Sequence, residues 1–241
     1  MSEKIVNTAL TIAGSDSGGG AGIQADLKTF SALGVFCKTI ITSITSQNSF
    51  GVRSTYDLPS DVVEQQLRAI SEDKKCQAVK TGMLGNEETV CLVAKMIKKS
   101  RLKNVVVDPV VLASSGKRLL TRGGVEALKK HLLPLASLVT PNIKEAELLS
   151  GVKIKSQSDR KKAARAILKT GVRAVLITGG HLKGSPEDLL LDDKGVQLFS
   201  SERLSKTDMH GTGCVFSAAI TARLAKGTPL REAIGNAKEY I

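Results

Sequence analysis

The chain has 241 residues, of which 41% are hydrophobic and 3% aromatic, and its 35 Lys and Arg against 23 Asp and Glu give a formal net charge of +12. The hydrophobic content suffices for a sizeable core, whereas the few aromatic residues argue against a surface that stacks nucleic-acid bases. The four cysteines lack Cys-x-x-Cys spacing, which predicts neither disulfides nor zinc, and no segment has the composition of a secretory leader or a membrane span, which predicts a cytoplasmic protein.

The first predicted strand runs directly into a glycine-rich loop. Residues 6–13 are a short apolar run, and residues 14–22 are mostly Gly and Ser, an order typical of a strand that ends in a tight loop. We expect a helix after this loop, ending at Gly34. Its predicted buried face consists of Ile23, Leu27, Phe30 and Leu33.

Two common nucleotide-binding motifs are excluded. Residues 20–25 fit the G-x-G-x-x-A pattern of dinucleotide-binding folds, but residues 45–50, where an acid would hold the ribose, are all neutral. No Gly-Lys pair is followed by Ser or Thr, so the chain has no P-loop.

From residue 36 onward, predicted strands and helices alternate. The strands lie at 36–46, 77–80, 104–107, 137–139 and 174–177, and the helices at 60–72, 86–99, 121–132, 142–149, 158–168, after 211 and from 229, with a hairpin that turns at 192–195. Unbroken apolar strands that alternate with helices indicate an α/β fold with a parallel sheet covered on both faces. Because no linker rich in Pro, Gly or Ser divides the chain, we expect a single domain, 1–241.

Residues suited to ligand binding come directly after the predicted strands. Ligands of open parallel sheets bind beyond the carboxyl ends of the strands, so we expect these residues to converge on one edge of the sheet. They are Gly14–Gly22, Gln47, Met83, Asp108, Asn142, Gly179, Gly180 and Gly213.

The segment 208–219 resembles an anion site. Gly211, Thr212 and Gly213 precede an apolar, helix-periodic stretch. Glycine lets backbone N–H groups turn toward one point, and the free N–H groups of a new helix add partial positive charge there. Phosphate is the usual ligand of such a site, and the alternative is an ordinary helix start that contains glycine.

Motifs distributed over nearly the whole chain support a specific interpretation. They are Ala13-Gly14-Ser15-Asp16, residues 18–29, Gln47-Asn48, Lys80-Thr81-Gly82-Met83-Leu84, Val107-Asp108-Pro109-Val110, Thr140-Pro141-Asn142 with Glu145-Ala146-Glu147, Gly179-Gly180-His181, and His210-Gly211-Thr212-Gly213-Cys214. In this order the set resembles the hydroxymethylpyrimidine/phosphomethylpyrimidine kinases of thiamine synthesis, a branch of the ribokinase-like superfamily.

The resemblance implies a three-layer α/β/α sandwich with a mostly parallel central sheet and a minimal lid. It also implies ATP-dependent phosphorylation of 4-amino-5-hydroxymethyl-2-methylpyrimidine and then of its monophosphate, with Mg²⁺ as cofactor. A homodimer that acts on small molecules, with no nucleic-acid or membrane partner, is the expected state.

The resemblance assigns roles to individual residues. Those implied to bind the aminopyrimidine are Asp26, Gln47, Met83, Gly14, Val110 and Thr45. Those implied to bind the nucleotide and its phosphates are Asn142, Thr178, Gly180, Thr207 and Gly213. Asp108 and Glu145 are implied to organise Mg²⁺, which takes few direct protein carboxylates. Cys214, Gly211, Thr212 and Gly213 are implied to form the catalytic centre.

Simpler interpretations remain open for several of these residues. Asp26 could be a solvated helix position, Gln47 an ordinary loop residue, Met83 core filler and Asp108 the cap of a turn. Cys214 stands where most ribokinase-like sugar kinases carry an Asp base. A thiol at a helix N-terminus has a lowered pKa, which would allow a thiolate base, and the alternative is that Cys214 only lines the pocket.

The chain departs from the family pattern twice. Thr178 stands where members commonly have a Lys that contacts the nucleotide phosphates, so the charge must come from Mg²⁺, the anion site or a nearby cation such as Lys183. The chain also stops at Ile241 within a predicted helix, whereas relatives continue, so a truncated or disordered end is expected.

Two rival functions remain. A pyridoxine/pyridoxal kinase would use the same scaffold on a similar hydroxymethyl heteroaromatic substrate. The basic runs 98–103 and 160–162 would suit a nucleic-acid or regulatory module, although no aromatic residues are interleaved with them.

Overall fold

The computed structural model describes residues 6–48, 51–73, 76–113, 116–179, 187–200 and 211–241. Its strands are β1 (Thr8–Asp16), β2 (Phe36–Asn48), β3 (Gly51–Asp57), β4 (Ala78–Thr81), β5 (Val105–Val107), β6 (Leu138–Val139), β7 (Val175–Ile177), β8 (Glu187–Asp192) and β9 (Gly195–Ser200). Its helices are α1 (Gly22–Ala32), α2 (Ser60–Ser71), α3 (Glu87–Lys99), α4 (Arg122–Ala127), α5 (Ile143–Ser150), α6 (Gln157–Leu168), α7 (Thr212–Ala225) and α8 (Leu230–Tyr240).

The described strands form one sheet in the order β3-β2-β1-β4-β5-β6-β7-β8-β9. Neighbours from β2 to β7 pair in parallel, while β3, β8 and β9 pair antiparallel with their neighbours at the two edges. The carboxyl ends of the parallel strands therefore share one edge of the sheet. The hairpin predicted at 192–195 is confirmed, since β8 and β9 are joined there.

Two hydrophobic layers flank the sheet. One packs α1, α7 and α8 against one face, with Phe30, Phe216 and Ile234 fully or nearly fully buried. The other packs α2 to α6 against the opposite face and is the larger cluster. Apolar side chains on both faces of every central strand explain why those strands are unbroken apolar runs. The predicted three-layer α/β/α sandwich is confirmed.

Local sequence accounts for where most helices begin and end. The Asn86 side chain accepts a hydrogen bond from the backbone of Thr89 and caps α3, which ends in two lysines that complement the helix dipole. The helix predicted over 121–132 is interrupted: α4 ends at Ala127 and continues as a π-helical turn, Leu128–Leu132. Pro134 follows closely and lacks the N–H that a continuing helix would need.

The predicted buried face of α1 is partly wrong. Leu27 is 44% exposed, whereas the buried residues are Ala25, Asp26, Thr29 and Phe30. The helix turns a face with polar side chains toward the sheet because Asp26 finds partners there, as described below. The apolar spacing alone could not indicate this rotation.

Two structural points bear on the sequence predictions. In the described parts of the chain, we find no helix with the length and apolar character to cross a membrane. The single domain and the minimal lid stay predictions.

Candidate functional site

The glycine-rich loop after β1 is folded around one carboxylate. Asp16 accepts backbone hydrogen bonds from Gly18 at 2.8 Å, Gly20 at 3.0 Å and Ala21 at 2.8 Å. Its own backbone N–H donates to the Gln24 side chain at 2.8 Å. A buried carboxylate that accepts several N–H bonds holds a loop in one shape, so Asp16 sets the path of the chain into α1.

This loop packs closely on the start of α7, where Gly211 meets the backbone of Gly20. Gly211 caps α7 with φ +82°, and a Cβ there would collide with the carbonyl oxygen of Gly20. Gly22, with φ +59°, would likewise drive a Cβ into the carbonyl oxygen of Gly14. The two glycine-rich segments predicted from the sequence therefore meet, and both contacts require residues without side chains.

A cleft of about 50 Å³ opens where the loop, the strand ends and α7 meet. It is lined by Ala13, Gly14, Ser15, Asp16, Ala21, Gly22, Thr45, Gln47, Lys80, Gly82, Met83, Val110, Leu119 and Cys214. Five of the six residues predicted to bind an aminopyrimidine are thus brought together, with Cys214 beside them. Asp26 is the exception.

The walls of this cleft are held by the ends of neighbouring strands. The carbonyl of Met83 accepts a hydrogen bond from Thr42 Oγ1 at 2.6 Å, and Thr45 Oγ1 donates to the carbonyl of Ser15 at 3.0 Å. Gly14 packs so closely on Met83 that a Cβ would lie 3.1 Å from its sulfur. Val110 has φ +42°, a conformation rare for a β-branched residue and typical of functional sites.

Asp26 lies behind the cleft and is not among its lining residues, so the alternative of a solvated position is wrong, while its predicted contact with a substrate stays a prediction. Its side chain is 0% exposed, and its oxygens accept hydrogen bonds from Lys80 Nζ and Thr11 Oγ1, each at 2.6 Å. Lys80, also 0% exposed, is the residue of this pair that lines the cleft. Asp26 therefore acts on the cleft through Lys80.

The predicted lowering of the Cys214 pKa is wrong for the ligand-free protein. Burial raises the pKa of this thiol to about 12, and the nearby charges of Asp108 and Asp26 add to the rise, although Lys80 opposes it. Desolvation outweighs the hydrogen bond from the Gly22 backbone, which lowers the pKa. Cys214 therefore carries its proton at neutral pH.

Two acids follow the central strands close to α7. Asp108, 7% exposed, follows β5, and its Oδ2 accepts a hydrogen bond from Ser217 Oγ of α7 at 2.9 Å. Glu145 accepts backbone hydrogen bonds from Val111 at 3.0 Å and Asn142 at 3.1 Å. Burial and then the charge of Asp108 raise the pKa of Glu145 to about 8, and burial also raises the pKa of Asp108.

These acids fit a magnesium site with few protein ligands. Asp108 raises the pKa of Glu145, and burial raises the pKa of both acids, so a cation bound near them would stabilise their charged forms. Asp108 has a carboxylate oxygen beyond the one bonded to Ser217, whereas both oxygens of Glu145 already accept backbone N–H groups. Among the described residues, no group of three or more His, Cys, Asp or Glu is placed to hold a metal ion.

Part of the predicted nucleotide site is assembled at the adjacent strand ends. Asn142 caps α5 in a reciprocal pair with Glu145 and forms an isolated parallel bridge with Thr178. Gly179 donates its N–H to Asp188 at 2.8 Å, and a Cβ on Gly179 would collide with the carbonyl of Glu187. The predicted residues Gly180 and Thr207, and the candidate cation Lys183, lie outside the described residues.

Three residues of this site were missed by sequence reasoning. Asp16 could have been noticed as an acid directly before a run of glycines. Ser217, one turn into α7 from Gly213, shares its helix face and could have been placed by helical spacing. Lys80 stands in an apolar strand where a charge needs a partner, but nothing local indicates that the partner is Asp26.

The basic run at 160–162 is partly buried. Arg160 is 5% exposed and donates to the side chain of Glu187 at 2.7 Å and to its carbonyl at 2.8 Å. A guanidinium held in this way contributes little to a surface for nucleic acid.

Comparison with known proteins gives a consistent result. A model of the phosphomethylpyrimidine kinase family matches residues 16–241. The chain is 48% identical over 235 residues to a hydroxymethylpyrimidine/phosphomethylpyrimidine kinase of Rhizobium meliloti, covering 97% of this chain and 88% of the relative. It is also 48% identical to the thiamine biosynthesis bifunctional protein ThiED of Geobacter sulfurreducens, of which it spans about half, 48% of the length.

Solved structures resemble the fold closely. The phosphomethylpyrimidine kinase of Clostridium difficile 630 superimposes with a TM-score of 0.87 at 44% identity, covering 97% of both chains. An ADP complex of Bacillus subtilis pyridoxal kinase superimposes with a TM-score of 0.91 at 43% identity, covering 98% of this chain and 91% of the other.

Proposed function

The chain belongs to the phosphomethylpyrimidine kinase family, and we propose that it phosphorylates 4-amino-5-hydroxymethyl-2-methylpyrimidine and then its monophosphate, with ATP as the donor. The observation that carries this proposal is the meeting of the acceptor cleft with the N-terminus of α7 at Cys214. A small polar-edged cleft beside a phosphate-binding helix start is the arrangement that phosphoryl transfer to a small alcohol requires.

In the proposed reaction the protein positions the reactants and stabilises charge. The acceptor oxygen bonds to the γ-phosphorus as the bond from that phosphorus to the bridging oxygen of ADP breaks; the proton of the alcohol passes to an oxygen of the transferred phosphoryl group, and ADP leaves with the electron pair. Backbone N–H groups at Gly211, Thr212 and Gly213 face the transferring oxygens. Asp108 and Glu145 would hold Mg²⁺, which supplies positive charge to the phosphates when bound. Because Cys214 keeps its proton in the ligand-free protein, we assign it to the wall of the cleft.

Gln47→Ala tests the pyrimidine end of the cleft. Loss of the amide should weaken pyrimidine binding by about 1–3 kcal/mol, seen as roughly a fivefold to 150-fold rise in KM, because a polar edge of the substrate loses its partner. The KM for ATP should change little. Steady-state kinetics with each substrate varied in turn measure both effects.

A matched control for Gln47→Ala lies in α2, which packs beside the strand of Gln47. Gln66 donates to the carbonyl of Ile41 and accepts from its N–H, away from the cleft. Gln66→Ala should therefore leave the KM for the pyrimidine alcohol unchanged. An unchanged KM in Gln47→Ala as well would remove Gln47 from the binding site.

Thr178→Lys tests the departure from the family pattern. Thr178 is half-buried beside Asn142 at the edge that would hold the nucleotide. A full charge there should raise kcat or lower the KM for ATP by about threefold to tenfold, because positive charge stabilises the phosphate oxygens. The comparison variant is Lys183→Ala. A large loss of kcat in Lys183→Ala, together with no gain in kcat or ATP affinity in Thr178→Lys, would mean that Lys183 already supplies the charge.

Pyridoxal phosphorylation is the second candidate. The resemblance to the Bacillus subtilis pyridoxal kinase at 43% identity supports it, since that relative shares the whole fold. Turnover of the aminopyrimidine alcohol and of pyridoxal, measured side by side, separates the two. We expect the higher kcat/KM for the aminopyrimidine.

We further propose a cytoplasmic homodimer. All four cysteines are free thiols, as expected of a reducing compartment. Ile44 and Tyr56 face each other across β2 and β3 and are both exposed, at an edge of the sheet that could meet a second copy. Light scattering behind size exclusion would give the mass, and a monomer at micromolar concentration would contradict the dimer.

A further inference from the structure

Lys80 is the one cation among the described residues that line the cleft. It belongs to β4, and its side chain extends to Asp26 of α1 with an Nζ to Oδ1 distance of 2.6 Å. Thr11 holds the other oxygen of Asp26 at the same distance. The ammonium is therefore fixed in position at the floor of the cleft.

The hydrogen-bonding capacity of this ammonium is not filled. It has three N–H bonds, and Asp26 is its one hydrogen-bond acceptor among the residues that the structure describes. A fully buried donor without an acceptor is costly, so the further N–H bonds favour a ligand oxygen in the adjacent cleft. Burial opposes the charge, but the carboxylate of Asp26 prevails and raises the pKa of Lys80, with Cys214 and Asp108 adding to the rise.

The acceptors of the two proposed transfers differ in charge and therefore need different groups at the floor of the cleft. The first acceptor is a neutral alcohol, whereas the second is a phosphate monoester that carries nearly two negative charges at neutral pH. The other ionisable groups that line the cleft are Asp16, whose oxygens are engaged by the loop, and the protonated Cys214. A dianion therefore needs a cation that the alcohol does not.

We propose that Lys80 binds the acceptor phosphate in the second transfer, an inference that rests on the two-step function proposed above. An oxygen of the acceptor phosphate forms the bond to the γ-phosphorus, and the bond from that phosphorus to ADP breaks, so ADP leaves with the electron pair. The dianionic acceptor needs no base. Lys80 donates to its remaining oxygens and offsets the repulsion between the two phosphoryl groups.

The test is the ratio of two rates in one sample. Lys80→Met should lower kcat/KM for the monophosphate by about 100-fold more than kcat/KM for the alcohol, because only the former acceptor is charged. The ratio does not depend on the fraction of folded protein. Calorimetric titration of the monophosphate in the absence of nucleotide should show a similar loss of affinity.

Two further variants guard against a structural explanation. Lys80→Met with Asp26→Asn removes both buried charges, leaves none unpaired, and should shift the ratio as the single variant does. Lys38→Met removes another buried lysine, which pairs with Asp73 at 2.7 Å away from the cleft, and should keep the wild-type ratio.

The outcomes are distinguishable. If the wild-type protein phosphorylates both acceptors and the Lys80 variants lower both rates by the same factor, the role of Lys80 is wrong while the proposed function stands. If the wild-type protein phosphorylates the alcohol alone or neither acceptor, the two-step function fails and the inference fails with it.

Discussion

Gly211→Ala should lower kcat/KM by at least about 100-fold, since a displacement of even 1 Å at a catalytic centre can cost that much. An alanine at this position meets two obstacles: φ is +82°, and its Cβ would collide with the carbonyl of Gly20. Either the start of α7 or the glycine loop must move. Both bear on the transferring phosphoryl group, so the loss should appear mainly in kcat.

A second glycine separates the effect of the collision from the effect of the left-handed backbone conformation. Gly227, just after α7, has φ +85° but nothing within 4 Å of the position that a Cβ would take. Gly227→Ala should cost only the strain of the left-handed conformation, about 1 kcal/mol of folding stability, and leave kcat unchanged. Kinetics and thermal unfolding of both variants compare the effects. Equal kcat values in the two variants would show that contact with Gly20 does not matter.

Asp108→Asn should lower kcat by about 100-fold to 1,000-fold while raising the melting temperature of the ligand-free protein. Activity falls because the neutral amide attracts Mg²⁺ poorly. Stability rises because burial makes the Asp108 charge costly, as its raised pKa indicates, and the amide oxygen can still accept from Ser217. A structural role for Asp108 would predict the opposite sign in the melting temperature.

Glu145→Gln is the comparison for Asp108→Asn. Glu145 uses both oxygens for backbone hydrogen bonds, so its amide loses one of them, which offsets the relief of the buried charge and should leave the melting temperature below that of Asp108→Asn. Its activity loss should be smaller and partly restored by excess Mg²⁺, as expected of an acid that organises the ion indirectly. Full rates in both variants at limiting Mg²⁺ would remove these acids from the metal site.

The sequence predicted the fold and most of the cleft because both follow from short-range patterns. Parallel strands bring their carboxyl ends to one edge, so Gly14, Gln47 and Met83 could be expected together without knowing any contact, whereas the role of Val110 was implied by the resemblance alone. The meeting of Gly211 with Gly20 could not be predicted, since it depends on how α7 packs across the sheet.

The electrostatics of the site were harder to predict than its location. The pKa of Cys214 was expected to fall from a local rule about helix ends, whereas burial in the folded protein raises it. Asp26 and Lys80 are 54 positions apart, and each would be unfavourable alone in its element. Their pairing depends on which face of α1 is turned toward the sheet, and the apolar spacing of that helix predicts a different face.

The place of α7 in the chain has a consequence for synthesis on the ribosome. The nine strands that the structure describes all precede it, yet α7 packs against β1, β4 and β5 and covers the sheet face that also receives α1 and α8. A nascent chain can therefore pair its strands while much of this apolar face has only α1 to cover it, until residue 225 has left the exit tunnel. During that interval the face is open to chaperones and to aggregation, and the proposed phosphate site is incomplete because it begins only at Gly211.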